Sequence, residues 1–318
     1  MKSVSVVGSG IVGLTSAIIL QEASYKVRII AKDRFENSLS QKVGAVWFPF
    51  EINPQEKANI WASLSYKRYQ NDIKPGNGVS FIWFLNAYSS DRDKDWVKQI
   101  PKGKVREAQK DELPKGIDKG KIAEVPLAEP PLYLPYLFET FLKSGGSFEQ
   151  LKISNLKEMA TLDTIVVNCT GLGAREICKD EDLHPMRGQI LRCKKMEAPS
   201  FADPTKKGSL LYVINRGEDC VIGGTDYKDD WNENPDSKDS QKILSRLHAA
   251  GISKKPEILE VVVGLRPVRS SVRFEFDSSY SNIFHNYGHG GAGFTVAWGC
   301  AMELMELLKG NSGLGGRN

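Results

Sequence analysis

Ser3-Val4-Ser5-Val6-Val7-Gly8-Ser9-Gly10-Ile11-Val12-Gly13 opens the chain with a β-branched run and a glycine turn. Leu14-Thr15-Ser16-Ala17-Ile18-Ile19-Leu20 continues as an apolar, helix-competent segment, and Lys26-Val27-Arg28-Ile29-Ile30-Ala31 is a second β run. Strand, glycine turn, helix and strand within about 30 residues make the βαβ unit of a parallel sheet. Gly8, Gly10 and Gly13 fit the spacing G-x-G-x-x-G. The first glycine permits a tight turn, and the second lets the backbone approach a pyrophosphate. The third lets the helix pack close to the strand, and the helix N-terminus at Ile11 and Val12 offers N–H donors to phosphates. Asp33 stands twenty residues past Gly13, where a carboxylate can accept from adenosine ribose hydroxyls. Lys32 beside it is a competing partner for that acid. The fingerprint alone leaves NAD and FAD open.

Working outward, the chain has 318 residues, room for two domains, with 41% hydrophobic and 26% charged residues. A net charge of +4, from 43 basic and 39 acidic residues, is too small and dispersed for a nucleic-acid binder. No stretch approaches the ~20 apolar residues of a membrane span. Hydrophobic residues begin at Val4 with no signal-peptide region before them, and no Ser-Lys-Leu-type terminus is present. The expectation is a cytoplasmic protein. Cys169, Cys178, Cys193, Cys220 and Cys300 include no C-x-x-C pair and read as reduced thiols, with no metal site expected.

The pattern predicts a helix over 51–72, a strand over 79–88 and a charged loop-and-turn surface over 91–121. It predicts a helix over 135–143, a buried strand over 164–168 and a short helix after Gly171 and Gly173. Antiparallel strands are expected at 188–194, 209–215 and 219–224, then a helix over 237–250. Strands near 257–266 and 282–286 lead into a glycine cluster and a last helix over 294–309. Residues 313–318 are expected to be disordered.

Two segments favour FAD over NAD. Asn168-Cys169-Thr170-Gly171 ends a strand in a small turn that returns the chain toward a flavin. His289-Gly290-Gly291-Ala292-Gly293-Phe294-Thr295 places small residues at a helix start. Such a terminus can stabilise the negative charge that gathers on a reduced flavin.

With these blocks stand Val46-Trp47-Phe48-Pro49-Phe50, Gly264-Leu265-Arg266-Pro267-Val268-Arg269 and His285-Asn286-Tyr287-Gly288. Together they resemble the D-amino acid oxidase and D-aspartate oxidase group of FAD enzymes, over nearly the whole chain. Residues 223–246 look closer to the D-aspartate oxidase branch. The resemblance implies an α/β fold: a Rossmann-type FAD-binding domain with an interleaved α+β substrate domain built on a mixed sheet. The first would take 1–50, 133–188 and 258–318, the second 51–132 and 189–257. Beyond the fingerprint, the resemblance implies cofactor contacts at Lys32, Ser40, Gly44, Ala45, Val46, Thr170, Gly171, Arg266, Gly290, Gly291, Gly293, Phe294 and Thr295. Phe48, Val46 and Gly291 would face the substrate.

An amino-acid substrate presents a carboxylate, and the planar fork of an arginine suits it with two parallel hydrogen bonds. Arg266 is the matching residue, and Tyr212 matches the family tyrosine that supplements it. Arg269 is expected in a structural ion pair, and His285 and His289 in structural roles. The implied reaction is hydride transfer from Cα of the neutral amine to flavin N5, with no protein general base. Molecular oxygen would then give hydrogen peroxide, and the imino acid would hydrolyse to a keto acid and ammonia. The sequence departs from the family at Gly208, where a lid tyrosine stands, at Phe48 for a glutamine, and at Asp226 for a base. An inward Asp226 and an apolar Phe48 favour neutral side chains over D-aspartate; Asp226 can equally face solvent. D-aspartate oxidase, a glycine- or sarcosine-type oxidase, a flavin dehydrogenase with another acceptor and a non-catalytic flavoprotein are the alternatives. A homodimer is left open.

Overall fold

The computed structural model describes residues 2–48, 52–89, 96–205, 208, 210–252 and 255–311. The N-terminal unit forms as the sequence predicts, with β1 (Ser3–Val7), α1 (Ile11–Glu22) and β2 (Lys26–Ala31). Next come α2 (Gln55–Asp72), β3 (Val79–Ala87), β4 (Val105–Glu107), β5 (Gly120–Ala128), α3 (Pro130–Lys143), β6 (Ser147–Gln150) and α4 (Leu156–Ala160). Then follow β7 (Val166–Asn168), α5 (Ala174–Ile177), β8 (His184–Lys194), β9 (Ser200–Asp203), β10 (Leu211–Asn215), β11 (Asp219–Gly223) and β12 (Tyr227–Lys228). The chain closes with α6 (Ser237–Ala249), β13 (Ile258–Phe276), β14 (Ile283–His289) and α7 (Gly293–Asn311).

Among the described residues all strands join one mixed sheet, in the order β4-β5-β3-β9-β10-β11-β8-β13-β14-β7-β1-β2-β6, with β12 on β8. From β14 to β6 every pairing is parallel. Val4, Val6, Ile29, Val166 and Val167 there are fully buried, as expected of parallel strands covered on both faces. α1 is apolar nearly all round because it packs on β1, α3 and α7 at once. The other end of the sheet is mainly antiparallel, and α6 covers β8 and β10 with Ile243 and Leu247.

β13 joins the two ends. Its residues from Ile258 to Val268 pair with β8, and Val268 also faces His289 of β14. Beyond Val268 it leaves β8 and continues along β14 to Phe276. The sequence pattern stops this strand near 266; it runs further because Phe274 and Phe276 both meet Phe284 edge-on, at 4.8 and 5.0 Å between ring centroids. Of the stretch 91–121, the described residues 96–121 are likewise more ordered than their charge suggests, since β4 and the start of β5 lie among them. α3 begins at Pro130 rather than 135, a proline being well suited to a first helical turn. Pro49, Phe50 and residues 313–318 lie outside the described residues. Among the described residues no helix is long and apolar enough to cross a membrane.

Candidate active site

A cavity of about 860 Å³ runs from the β1–α1 turn to the face of β8, β10 and β13. This is within the size range of small-molecule and cofactor sites, about 300–1,000 Å³. At its first end Gly8 has φ +116°, and a Cβ there would lie 2.3 Å from the Cys169 carbonyl oxygen. A Cβ at Gly13 would lie 2.0 Å from the Gly8 carbonyl oxygen. Both positions exclude a side chain, so α1 starts pressed against β1 and β7. The Ser40 hydroxyl accepts from the Ile11 amide at 3.0 Å, capping one of the first amides of α1 from within the chain. The Ser9 hydroxyl donates to the Asp33 carbonyl at 2.8 Å, which fixes the end of β2 beside the glycine turn. Asp33 reaches Lys32 only loosely, at 3.8 Å, and both line the cavity.

The middle wall is the Thr170–Gly171 turn. Asn168 Oδ1 accepts from the Thr170 amide at 3.2 Å and from its hydroxyl at 2.7 Å. With that oxygen accepting, the Asn168 amide group donates to His285 Nδ1 at 3.1 Å, and His285 Nε2 donates to Asp277 at 2.9 Å. His285 is therefore a buried structural ring. Gly290 donates its amide to the Pro267 carbonyl at 2.8 Å, tying the glycine cluster to the strand that carries Arg266. His289, between Gly288 and Gly290, lines the cavity, and burial lowers its pKa to about 4. Its ring is neutral at physiological pH.

At the far end Tyr212 of β10 and Arg266 of β13 both line the cavity. Arg266 Nη1 donates to the Thr225 carbonyl at 3.0 Å. Burial pushes the Tyr212 hydroxyl up, and the neighbouring Arg266 guanidinium partly offsets this. Tyr212 therefore stays a neutral phenol. Around this end stand Phe48, Phe84, Ala202, Leu210 and Ile214, all apolar.

Gly10, Ile11, Val12, Gly44, Ala45, Val46, Gly291, Gly293 and Phe294 also line the cavity. Gly13 and Thr295, expected to touch the cofactor, instead stand behind its wall: Gly13 against Gly8, and Thr295 against the backbone of Phe48. Arg269 is ion-paired with Asp180 at 2.9 Å, as its sequence position suggests. Asp226 is not among the residues lining the cavity. Ala202 and Ile214 are missed in the sequence because only strand pairing turns them toward Tyr212: Ala202 sits opposite it, and Ile214 shares its face two residues on.

The cradle fits a dinucleotide. Two glycines exclude a Cβ at a helix N-terminus, an acid ends the second strand, and a second helix, α7, starts at the same cavity. Residues 3–307 match the family model described as DAO, FAD dependent oxidoreductase. The chain belongs to this family and is a FAD-dependent flavoprotein oxidoreductase. It is 37% identical over 316 residues to a D-amino-acid oxidase of Dictyostelium discoideum, covering 95% of this chain and 90% of that one. It is 34% identical over 313 residues to a D-amino-acid oxidase of Rubrobacter xylanophilus, covering 95% and 94%. Its fold is similar to that of glycine oxidase from Bacillus cereus, with a TM-score of 0.76 at 16% identity over 98% and 96% of the two chains.

Proposed function

We propose that this protein oxidatively deaminates D-amino acids with neutral side chains, with molecular oxygen as electron acceptor. The observation that carries the reading is the pair Arg266 and Tyr212, which meet in the cavity at the end remote from the dinucleotide cradle. The D-amino-acid oxidases to which the chain is similar support the same chemistry.

When bound, FAD supplies a two-electron acceptor able to take a hydride from the substrate Cα. Gly8, Gly10 and Val12 would hold its pyrophosphate, with Ser40 and the Ile11 amide it engages beside them, Asp33 its ribose, and Thr170, Gly171 and Gly290 to Phe294 its ring end. Arg266 grips the α-carboxylate in a fork, and the neutral Tyr212 hydroxyl donates to the same group. The fork fixes the carboxylate and the apolar wall that receives the side chain sets the rotation of Cα, so positioning lowers the barrier. The substrate enters as its neutral amine, and no side chain needs to accept the Cα proton. His289 stays uncharged and takes no proton in this scheme. Phe48, Phe84, Ala202, Leu210 and Ile214 receive an apolar side chain and exclude water. The products are the imino acid, which hydrolyses to a keto acid and ammonia, and hydrogen peroxide.

In this reading 1–50, 133–188 and 258–318 form the FAD-binding unit, and 51–132 with 189–257 the substrate unit. Five free cysteines suit a reducing compartment, which we take to be the cytoplasm. A peroxide-coupled screen over paired D- and L-amino acids, with glycine and sarcosine, tests the function. Turnover of neutral D-amino acids is expected. Turnover confined to L-amino acids, D-aspartate or sarcosine would sink the proposal, and turnover only with an artificial acceptor would remove oxygen from it.

A further inference from the structure

The two clamp residues lie over strand positions that carry no side chain. A Cβ at Gly188 of β8 would fall 2.5 Å from Cζ, 2.5 Å from Nη2 and 2.6 Å from Nη1 of Arg266. Three guanidinium atoms at nearly one distance mean that the group lies flat across Gly188. In register Arg266 faces Met186 and Gly188 faces Gly264, so the side chain crosses diagonally over the neighbouring strand. A Cβ at Gly223 of β11, directly opposite Tyr212, would fall 2.1 Å from Cζ and 2.4 Å from the hydroxyl oxygen of Tyr212.

Backbone conformation does not explain Gly188, which has neither a left-handed φ nor a cis peptide bond, so β8 would accept alanine there. Gly223 also lacks a left-handed φ, but a cis peptide bond joins it to Gly224. Glycine inside a strand also weakens it, by lost packing and a larger entropy loss on folding. What the missing side chains provide is room for Arg266 and Tyr212 to lie in one layer on the sheet, leaving the space above them for substrate.

We propose that Gly188, with Gly223 in the same role for Tyr212, is a positioning residue that seats the substrate-carboxylate clamp. This rests on the reading of Arg266 and Tyr212 as that clamp. A methyl at 188 meets the free end of a long flexible side chain rather than backbone. The guanidinium therefore gives way before the strand does.

The test uses the holoenzyme, with D-valine as substrate and 3-methylbutanoate as a carboxylate that lacks the amine. Its Kd is read from the perturbation of bound-flavin absorbance. Gly188→Ala should raise both KM and Kd roughly ten- to a hundredfold, the range for lost charge-assisted hydrogen bonds. Its Tm and flavin content should stay at the parent values. In an Arg266→Ala background the same change should add nothing to Kd, because the group it displaces is gone. An unchanged Kd for Gly188→Ala, or an equal rise in both backgrounds, overturns the proposal. If Gly188→Ala alone does not fold, rescue by Arg266→Ala supports the proposal, and failure in both backgrounds overturns it. Arg266→Ala alone with an unchanged Kd refutes the clamp itself, a separate outcome. Gly223→Ala, compared in parent and Tyr212→Ala backgrounds, gives the parallel measurement for the second seat.

Discussion

The Thr295 hydroxyl is bonded twice to Phe48, accepting from its amide at 3.0 Å and donating to its carbonyl at 3.0 Å. The two residues are 247 positions apart. One side chain at the start of α7 thus satisfies both backbone groups of a residue in the cavity wall, where an unpaired polar group is costly. Thr295→Val keeps the shape and removes both bonds. It should lower stability by about 1–3 kcal/mol, read from urea unfolding of the holoprotein, and should raise KM for apolar D-amino acids. Thr295→Ser should sit close to the parent. Equal losses in Ser and Val would place the effect in the methyl group instead.

Gly13 gives a sharper test of the cradle. Its Cβ would meet backbone, the Gly8 carbonyl oxygen at 2.0 Å, and backbone cannot swing aside. Gly13→Ala should push α1 off β1 and turn the anion-facing amides away from the phosphates. The expected result is purified protein that has lost most of its yellow flavin absorbance and binds added FAD at least about tenfold more weakly. Full flavin content in this variant would dissociate the glycine contact from cofactor binding.

How much of this was legible in the sequence follows from distance along the chain. The β1–α1–β2 unit is local, and its glycines, apolar helix and terminal acid all fall within 33 residues, so pattern and spacing reveal it. Arg266 and Tyr212 meet only because β8 and β11 stand between their strands in one sheet. No periodicity encodes that insertion, and their joint role came from resemblance. The continuation of β13 to Phe276 is hidden because Arg269-Ser270-Ser271-Val272-Arg273 is mostly polar, and the packing partner of Phe274, Phe284, lies on another strand. Gly188 and Gly223 looked like ordinary strand glycines, since what they leave room for arrives from another strand.

Arg266 should dominate binding of the carboxylate. Arg266→Leu removes the fork and leaves a partly desolvated anion without its partner, a loss of about 2–5 kcal/mol. This corresponds to a fall in kcat/KM of roughly thirty- to several-thousandfold. Arg266→Lys should recover part of it, as a point charge without the bidentate geometry. Steady-state rates over a range of D-alanine concentrations separate the cases. A parent-like kcat/KM in Arg266→Leu would remove this residue from the site.

Acid should weaken the fold before the carboxylates titrate. Burial lowers the His289 pKa from 6.5 to about 4, and burial also lowers that of His285. Between those values the unfolded chain binds a proton at His289 that the folded chain refuses, so unfolding becomes more favourable as pH falls. For His289 the window runs from about pH 6.5 down to about 4, with a total cost of roughly 3 kcal/mol. Asp180, Asp239 and Asp277 have lowered pKa values against the usual 3.8 despite burial, through hydrogen bonds from Tyr287, Tyr227 and His285 and from nearby cations. Their stabilisation is complete above that value and disappears only as pH falls through their folded pKa values. The Tm of the holoprotein should therefore decline steadily from pH 7 to pH 5. His289→Gln, which cannot titrate, should flatten the slope over that interval even if its Tm at pH 7 is lower. An identical slope in the variant would assign the acid sensitivity to other groups.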